Sequence, residues 1–288
     1  MFRSFVELQE LCEEMQLPAW QAIQRDDARD QDIRTDVSRE KMCRLWKVMK
    51  ASVEGYDPNM RSRSGLVGSE GGRMDEYLKT HEPLSGSFSG KVIARALKMG
   101  CANACMHRIV AAPTAGACGV LPAVLYSCWK DRGAAEEEIV RALYVAAGTG
   151  QIIAQRAFLA GAAGGCQAEI GSASGMAAAA LVALQGGTLE QMGHACAMAL
   201  KNLMGLVCDP VAGLVEVPCV KRNVGGAVNA LAAADMALAG IESAVPVDQV
   251  IDAMREVGEA MDPSLRETSR GGLATTPRGL EITARIRE

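Results

Sequence analysis

Aromatic residues are scarce in this sequence, making up only 4% of its 288 residues. Large β-sheet domains draw on aromatic and β-branched residues for their strands, so this shortage argues against a β fold. Alanine is abundant instead, together with 30 glycines and 15 methionines. We therefore predict an all-α protein, a single multi-helix domain whose helices pack through small side chains.

The sequence also lacks the features that nucleic-acid-binding and membrane proteins need. Its net charge is −4 and no basic stripe is present, so nothing would neutralise a phosphate backbone. A long charge-free run, residues 170–189, is rich in alanine, glycine and serine, which insert weakly into lipid. We expect a buried helix there, and neither a nucleic-acid nor a membrane partner.

Ten cysteines are present, a high count for a chain of this length. The first ten residues, MFRSFVELQE, are charged and have no apolar core, so we expect no signal peptide. Without export, cysteines are expected to stay reduced. Some of these thiols are therefore better candidates for metal ligands than for disulfides.

The pattern along the chain suggests three segments of one domain. Residues 1–52 show helical spacing and are predicted to form a peripheral helical arm. Residues 53–90 are rich in Gly, Ser and Asp and are predicted to be a long functional loop. Residues 91–288 would form the core. Helices are predicted over 91–110, 136–160, 176–205 and 224–241, then from Pro246 to Met261 and at the C-terminal end.

Several short motifs carry polar residues that could act in a site. The run GSFSGKV fails as a phosphate-binding P-loop, because Gly86 is one residue too close and Val92 replaces Ser or Thr. Lys91 in that run could still hold a carboxylate at a helix start. Thr114, in APTAG, is either part of an anion pocket or a helix cap. His107 is either a surface or capping residue or a catalytic one.

Cys166, Cys208 and Cys219 stand in unusual surroundings. Forty-one residues separate the first two and ten separate the last two, which is not the compact spacing of structural zinc or ferredoxin sites. Two glycines precede Cys166, however, and two prolines stiffen the loop between the others. Three ligands on a four-iron cluster would leave one iron open, as a Lewis-acid catalyst requires.

Four blocks of the sequence are distinctive: GCQAEIGSASGMAAAA, KNLMGLVCDPVAGLVEVPCVKRN, AAPTAGACGVLPAVL and ET-x2-GGLA-x-TP. They resemble the alpha chain of bacterial iron–sulfur-dependent L-serine dehydratase (L-serine ammonia-lyase), and the resemblance extends over essentially the whole chain. It implies a lyase that converts L-serine to pyruvate and ammonia with a 4Fe–4S cluster instead of pyridoxal phosphate. By motif, Cys166, Cys208 and Cys219 would be the cluster ligands.

Because single-chain members of this family carry an additional regulatory domain, the resemblance implies a separate beta chain as partner. A cytoplasmic role in serine degradation and gluconeogenesis also follows.

The chemistry of this reaction suggests further site residues. Hydroxide is a poor leaving group, which an open iron would stabilise, while a base removes the Cα proton. We expect Thr114, Gly116 and the Ser87–Lys91 loop near the substrate carboxylate. The turn Glu267-Thr268-Ser269 is a further lining, with Thr268 as the candidate side chain. His107 is the candidate base, although the base could belong to another chain.

Three alternatives stay open. A cluster-dependent L-cysteine desulfidase would use the same open iron for β-elimination. A non-catalytic helical interaction protein would keep its cysteines in the core. A pyridoxal-phosphate enzyme could use Lys91, but the sequence shows no αβ alternation.

Overall fold

Helices carry most of the chain. The computed structural model describes residues 1–287, so the last residue of the predicted core segment, Glu288, lies outside the described residues. The α-helices are α1 Phe5–Met15, α2 Ala19–Asp30, α3 Thr35–Glu54, α4 Glu70–Thr80, α5 Ser87–Ala104, α6 Val120–Arg132, α7 Glu136–Arg156, α8 Gly161–Gly164, α9 Ser172–Leu184, α10 Leu189–Leu203, α11 Cys219–Leu238, α12 Val247–Ala260 and α13 Pro277–Arg287. No strand occurs within residues 1–287; one isolated bridge joins Cys208 to Arg266. The all-α prediction is confirmed.

Helix α9 forms the centre of the core. Every residue from Ser172 to Val182 is buried, and α6, α7, α10 and α11 pack around it. Small side chains make this possible: a Cβ added at Gly175 would lie 3.0 Å from Cys196 Sγ. Helices can approach this closely only where bulky side chains are absent. None of the helices in residues 1–287 has both the length and the apolar character to span a membrane.

The predicted helix over 176–205 is wrong in one respect, because two helices occupy it. Helix α9 ends at Leu184, and Gly186 then adopts a left-handed conformation with φ of +77°. Thr188 begins α10 with a capping box, in which its hydroxyl accepts from the Gln191 N–H. A glycine turn followed by a Thr cap is a helix stop and restart.

The first 90 residues also differ from the prediction. Trp46, on α3, is 1% exposed and belongs to the main hydrophobic core, so residues 1–52 are more than an outer arm. The predicted loop over 53–90 contains α4 and the start of α5. Gly71 and Gly72, which suggested a loop, instead lie within α4 and allow close packing: a Cβ at Gly71 would lie 2.5 Å from Lys98 Cγ on α5.

Three irregular segments meet at one end of this bundle. A π-helix, Gln167–Gly171, runs directly into α9. The connection from α10 to α11 contains a 3-10 turn, Val211–Gly213, and the segment between α12 and α13 contains two, Pro263–Leu265 and Gly272–Thr275. Wide helical turns of the π type are frequent at functional sites.

Candidate active site

The fold brings the three predicted cysteine ligands together. Cys166 precedes the π-helix, Cys208 lies in the α10–α11 connection, and Cys219 is the first residue of α11. Burial raises the pKa of the Cys208 thiol, and the nearby Cys166 and Cys219 raise it further. Burial also raises the pKa of Cys166 to about 11 and that of Cys219 to about 12. All three thiols are thus desolvated, and the charge of Cys166 raises the pKa of both Cys208 and Cys219.

Gln167 fixes the position of Cys166. Its N–H donates to Leu206 O at 2.9 Å, and its side chain bridges two elements, donating to Met254 O at 3.0 Å and accepting from Gly205 N–H at 2.8 Å. Gly165 has a φ of +76°, and a Cβ there would lie 2.9 Å from Leu206 O. Glycine is therefore required directly before Cys166.

The C-terminal segment holds the Cys208 loop from the other side. Cys208 N–H donates to Leu265 O at 2.8 Å, and its carbonyl accepts from Glu267 N–H at 2.7 Å. Glu267 and Ser269 both have positive φ values, 61° and 56°. Non-glycine residues in this region are strained, and such strain concentrates at functional sites. Ser269 Oγ donates to Pro210 O at 2.7 Å, which closes the contact.

Asn223 connects Cys219 to the APTAG turn. From the first turns of α11 its side-chain amide donates to Cys219 O at 3.0 Å and to Gly116 O at 2.8 Å. Its Oδ1 accepts from Gly119 N–H at 2.8 Å. Asn223 is 1% exposed, and it satisfies one buried and two partly buried backbone groups. The sequence analysis missed Asn223, because nothing in its spacing distinguishes it from other polar residues on a helix.

Glu169 is a carboxylate whose charge acts on all three thiols. Its Oε1 accepts a 2.7 Å hydrogen bond from Thr114 Oγ1. A Cβ built on Gly161 would lie 2.9 Å from Glu169 Oε2 and 3.0 Å from Cys208 Sγ. Burial raises the pKa of Glu169; the Thr114 hydrogen bond opposes this shift and the charge of Glu267 adds to it. The sequence analysis missed Glu169, although one acidic residue in the small-residue block GCQAEIGSASG was a usable signal.

Arg222 contacts two of the thiol-bearing segments from α11. Its Nη1 donates to Val207 O at 2.6 Å and its Nη2 to Asp209 Oδ1 at 2.8 Å. The positive charge of the same guanidinium lowers the pKa of the Cys166 thiol against the larger effect of burial. The Asp209 side chain is only 4% exposed. The site thus contains a buried ion pair beside its thiols.

The other predicted site residues have different surroundings. Lys91 Nζ forms an ion pair with Asp131 at 3.1 Å, and its side chain is 46% exposed. His107 is exposed, in a cleft between α3 and the end of α5. Thr268 lies in the segment that holds Cys208, but its hydroxyl donates to Ser264 O at 2.8 Å within its own turn. Among the four predicted catalytic residues, only Thr114 has its side chain bonded to this site.

Comparison with known proteins identifies the family. A sequence profile of the serine dehydratase alpha chain matches residues 14–274. The chain belongs to this family. The resemblance found in the sequence is therefore confirmed, and the matched range contains all three cysteines and the helices that carry them.

Some relatives have nearly the same length as this chain, and others are considerably longer. The probable L-serine dehydratase alpha chain of Bacillus subtilis (strain 168) is 44% identical over 286 residues, which cover 99% of this chain and 95% of that protein. The L-serine dehydratase alpha chain of Peptoniphilus asaccharolyticus is 40% identical over 98% of this chain and 97% of its own. The L-serine dehydratase of Streptomyces coelicolor is 38% identical over 83% of this chain, but only 53% of that protein is covered. The chain thus corresponds to the separate alpha chains along nearly their full length.

Proposed function

We propose that this chain is the cluster-bearing alpha subunit of an L-serine dehydratase, a lyase that eliminates water from L-serine to give pyruvate and ammonia. The observation that carries the proposal is the meeting of Cys166, Cys208 and Cys219 from three separate segments. Full-length similarity to L-serine dehydratase alpha chains supports the substrate. We further propose that the three thiols hold a 4Fe–4S cluster.

The donor set is compatible with such a cluster. Thiolates are the ligands that iron–sulfur clusters take in proteins. Gly161 supports this interpretation, since its missing side chain leaves space beside Cys208 Sγ.

The reaction requires loss of the Cα proton and departure of hydroxide. A bound cluster would supply an iron with an open position, which acts as a Lewis acid toward the leaving hydroxyl. The protein itself supplies Glu169 and Thr114 beside Cys208. We propose that Glu169 holds the substrate ammonium and that Thr114 orients the Glu169 carboxylate. In this partly buried position a charge contact is stronger than in water.

The described part of the chain gives no support for a histidine base. His81 stacks on Tyr77, and His107 lies in the cleft beside α3. His194, on α10, accepts a hydrogen bond from the backbone N–H of Ser243. We therefore propose that the base is either a carboxylate of this site or a residue of the beta chain. The alpha-chain names of the relatives support a separate beta chain as partner. A cytoplasmic location remains part of the proposal.

The experiment starts from the complex of this chain with its beta chain, purified without oxygen. Iron, acid-labile sulfide and serine-dependent pyruvate formation are measured before and after exposure to air. We expect about four irons per alpha chain, by definition of the 4Fe–4S cluster, and loss of activity in air together with the cluster absorption. L-Cysteine is assayed in parallel, because faster sulfide release from cysteine would favour a desulfidase.

Two cysteine variants separate ligands from core thiols. Cys208→Ser should lose the cluster and the activity together. Cys128→Ser is the matched control, because Cys128 is equally buried but lies on α6 in the hydrophobic core. It should keep both. If Cys208→Ser retained full iron and activity, the ligand assignment would be wrong, and a wild-type complex without iron or sulfide would overturn the cluster proposal.

A further inference from the structure

Arg222 occupies a position that no cysteine motif accounts for. It lies one turn after Cys219 on α11, and its side chain is only 16% exposed. Its guanidinium uses separate N–H groups for Val207 O and Asp209 Oδ1. These two acceptors flank Cys208 on either side. The Cys208 loop is therefore attached to α11, the helix that begins with Cys219, through one side chain.

The same guanidinium also lies near the third cysteine. Its positive charge lowers the pKa of the Cys166 thiol at the entrance to the π-helix. One planar group thus contacts or borders all three thiol-bearing segments. Lysine could not replace it fully, since its single nitrogen lacks the fixed fork that allows several parallel hydrogen bonds.

Asp209 holds this arginine in place and extends the contact to the C-terminal segment. Its Oδ1 accepts from Arg222 and its Oδ2 accepts from Leu273 N–H at 2.8 Å. A Cβ at Gly272 would lie 2.4 Å from Asp209 Oδ2, so residue 272 must be glycine for the segment to approach. The GGLA motif is in this way fitted to the carboxylate that orients Arg222.

We propose that Arg222, fixed by Asp209, is a positioning residue that holds the Cys208 loop against the start of α11 and places its positive charge beside the bound cluster. This inference rests on the proposed function, because it needs a cluster on Cys166, Cys208 and Cys219. Groups that hydrogen-bond to metal ligands commonly change metal retention by about 10–100-fold. Hydrogen bonds and positive charge near cluster sulfurs also stabilise the reduced cluster, which raises its reduction potential.

The test compares variants of the anaerobic complex with its beta chain. Arg222→Gln removes the charge, Arg222→Lys keeps the charge without the fork, and Arg222→Gln with Asp209→Asn removes the whole ion pair. Arg95→Gln is the matched control, since Arg95 is 12% exposed and pairs with Asp131 between α5 and α6. The readouts are iron and sulfide per chain, the half-life of the cluster absorption under a chelator, and the reduction potential.

We expect Arg222→Gln to shorten the chelator half-life by about 10–100-fold and to make the potential more negative. Arg222→Lys should restore part of the half-life, and Arg95→Gln should match the wild type in both measurements. If Arg222→Gln did not fold, as judged by its helical circular dichroism, the double variant and Arg222→Lys would decide by the same readouts.

Two results would overturn the inference. One is a wild-type half-life and potential in the Arg222 variants that fold. The other is a shortened half-life with an unchanged potential, which would mean that Arg222 supports the fold without placing its charge beside the cluster. Neither result affects the proposed function, because both require a wild-type complex that contains iron and sulfide. A wild-type complex without them would instead overturn the proposed function.

Discussion

Thr114 Oγ1 donates a 2.7 Å hydrogen bond to Glu169 Oε1, within the site that contains Cys208. A hydrogen bond to a charged group contributes about 1.5–3 kcal/mol, and a partly buried carboxylate depends on it more than an exposed one. Loss of Thr114 would therefore leave the Glu169 carboxylate without its side-chain partner and free to turn away from the substrate.

We expect Glu169→Gln to lower kcat/KM for L-serine by at least about 100-fold, since it removes the charge that would hold the substrate ammonium. Thr114→Val should lower it by about tenfold, and Thr114→Ser should restore most of the loss because it keeps the hydroxyl. Steady-state kinetics of the anaerobic complex, with iron content measured for each variant, check this. Unchanged kinetics in Glu169→Gln at full iron content would remove Glu169 from the site.

Gly161 separates Glu169 from Cys208, and its lack of a side chain has a measurable consequence. A Cβ at this position would lie 2.9 Å from Glu169 Oε2 and 3.0 Å from Cys208 Sγ. Contacts this short force one of the two groups to move. We expect Gly161→Ala to lose most of its cluster iron and serine activity, while its helical circular dichroism stays at the wild-type level. Wild-type iron content in this variant would show that the space beside Cys208 is not used.

Composition and helical spacing were sufficient to predict the fold class, because both act locally. Helix boundaries were less predictable at glycines, because a glycine can either end a helix or lie inside one where another helix packs closely. Gly186 ends a helix through its positive φ, whereas Gly71 lies inside α4 and permits contact with α5. The residue type is the same in both, and only the position of a neighbouring helix distinguishes them.

For the site, the cysteines were found because their surrounding blocks resemble a family. Lys91 and His107 were selected by residue type and local sequence alone, and their surroundings depend on elements distant in the chain. Lys91 faces Asp131 on α6, forty residues later in sequence. Glu169, Arg222 and Asn223 were missed for the same reason, since each has a partner distant in the chain: Thr114 is 55 residues from Glu169, Asp209 is 13 from Arg222, and Gly116 is 107 from Asn223.

Asp131 provides a test of the electrostatics outside the site. Burial alone would raise the pKa of Asp131, but hydrogen bonds from Arg95 and Lys91 outweigh it and hold the pKa below the usual 3.8. A carboxyl whose pKa is lowered by folding stabilises the fold above its unfolded pKa, and this stabilisation is lost as the pH falls through the folded pKa.

We therefore expect Asp131→Asn to reduce the free energy of unfolding by about 1–3 kcal/mol at pH 7. The difference from the wild type should stay constant down to about pH 5 and shrink below about pH 4. Urea unfolding of both proteins at each pH measures it, and acid loss of a cluster would affect both alike. An equal difference at pH 7 and pH 3 would contradict the ion-pair explanation.

Two adjacent glycines in α11 should respond to alanine in opposite directions. A Cβ at Gly225 would meet nothing within 4 Å, so Gly225→Ala should stabilise the protein by about 0.5–1 kcal/mol through the better helix propensity of alanine. A Cβ at Gly226 would lie 2.9 Å from both Ile170 Cγ2 and Val120 Cγ2 in the core. Gly226→Ala should therefore destabilise it by about 1–3 kcal/mol through overpacking. Urea unfolding compares the two variants directly, and since both gain the same helix propensity, their difference isolates the contact between α11 and the π-helix beside Cys166. Equal stabilities of the two variants would mean that the neighbours of Gly226 can move to accept a methyl group at no cost in free energy. That result would contradict the close packing inferred beside Cys166.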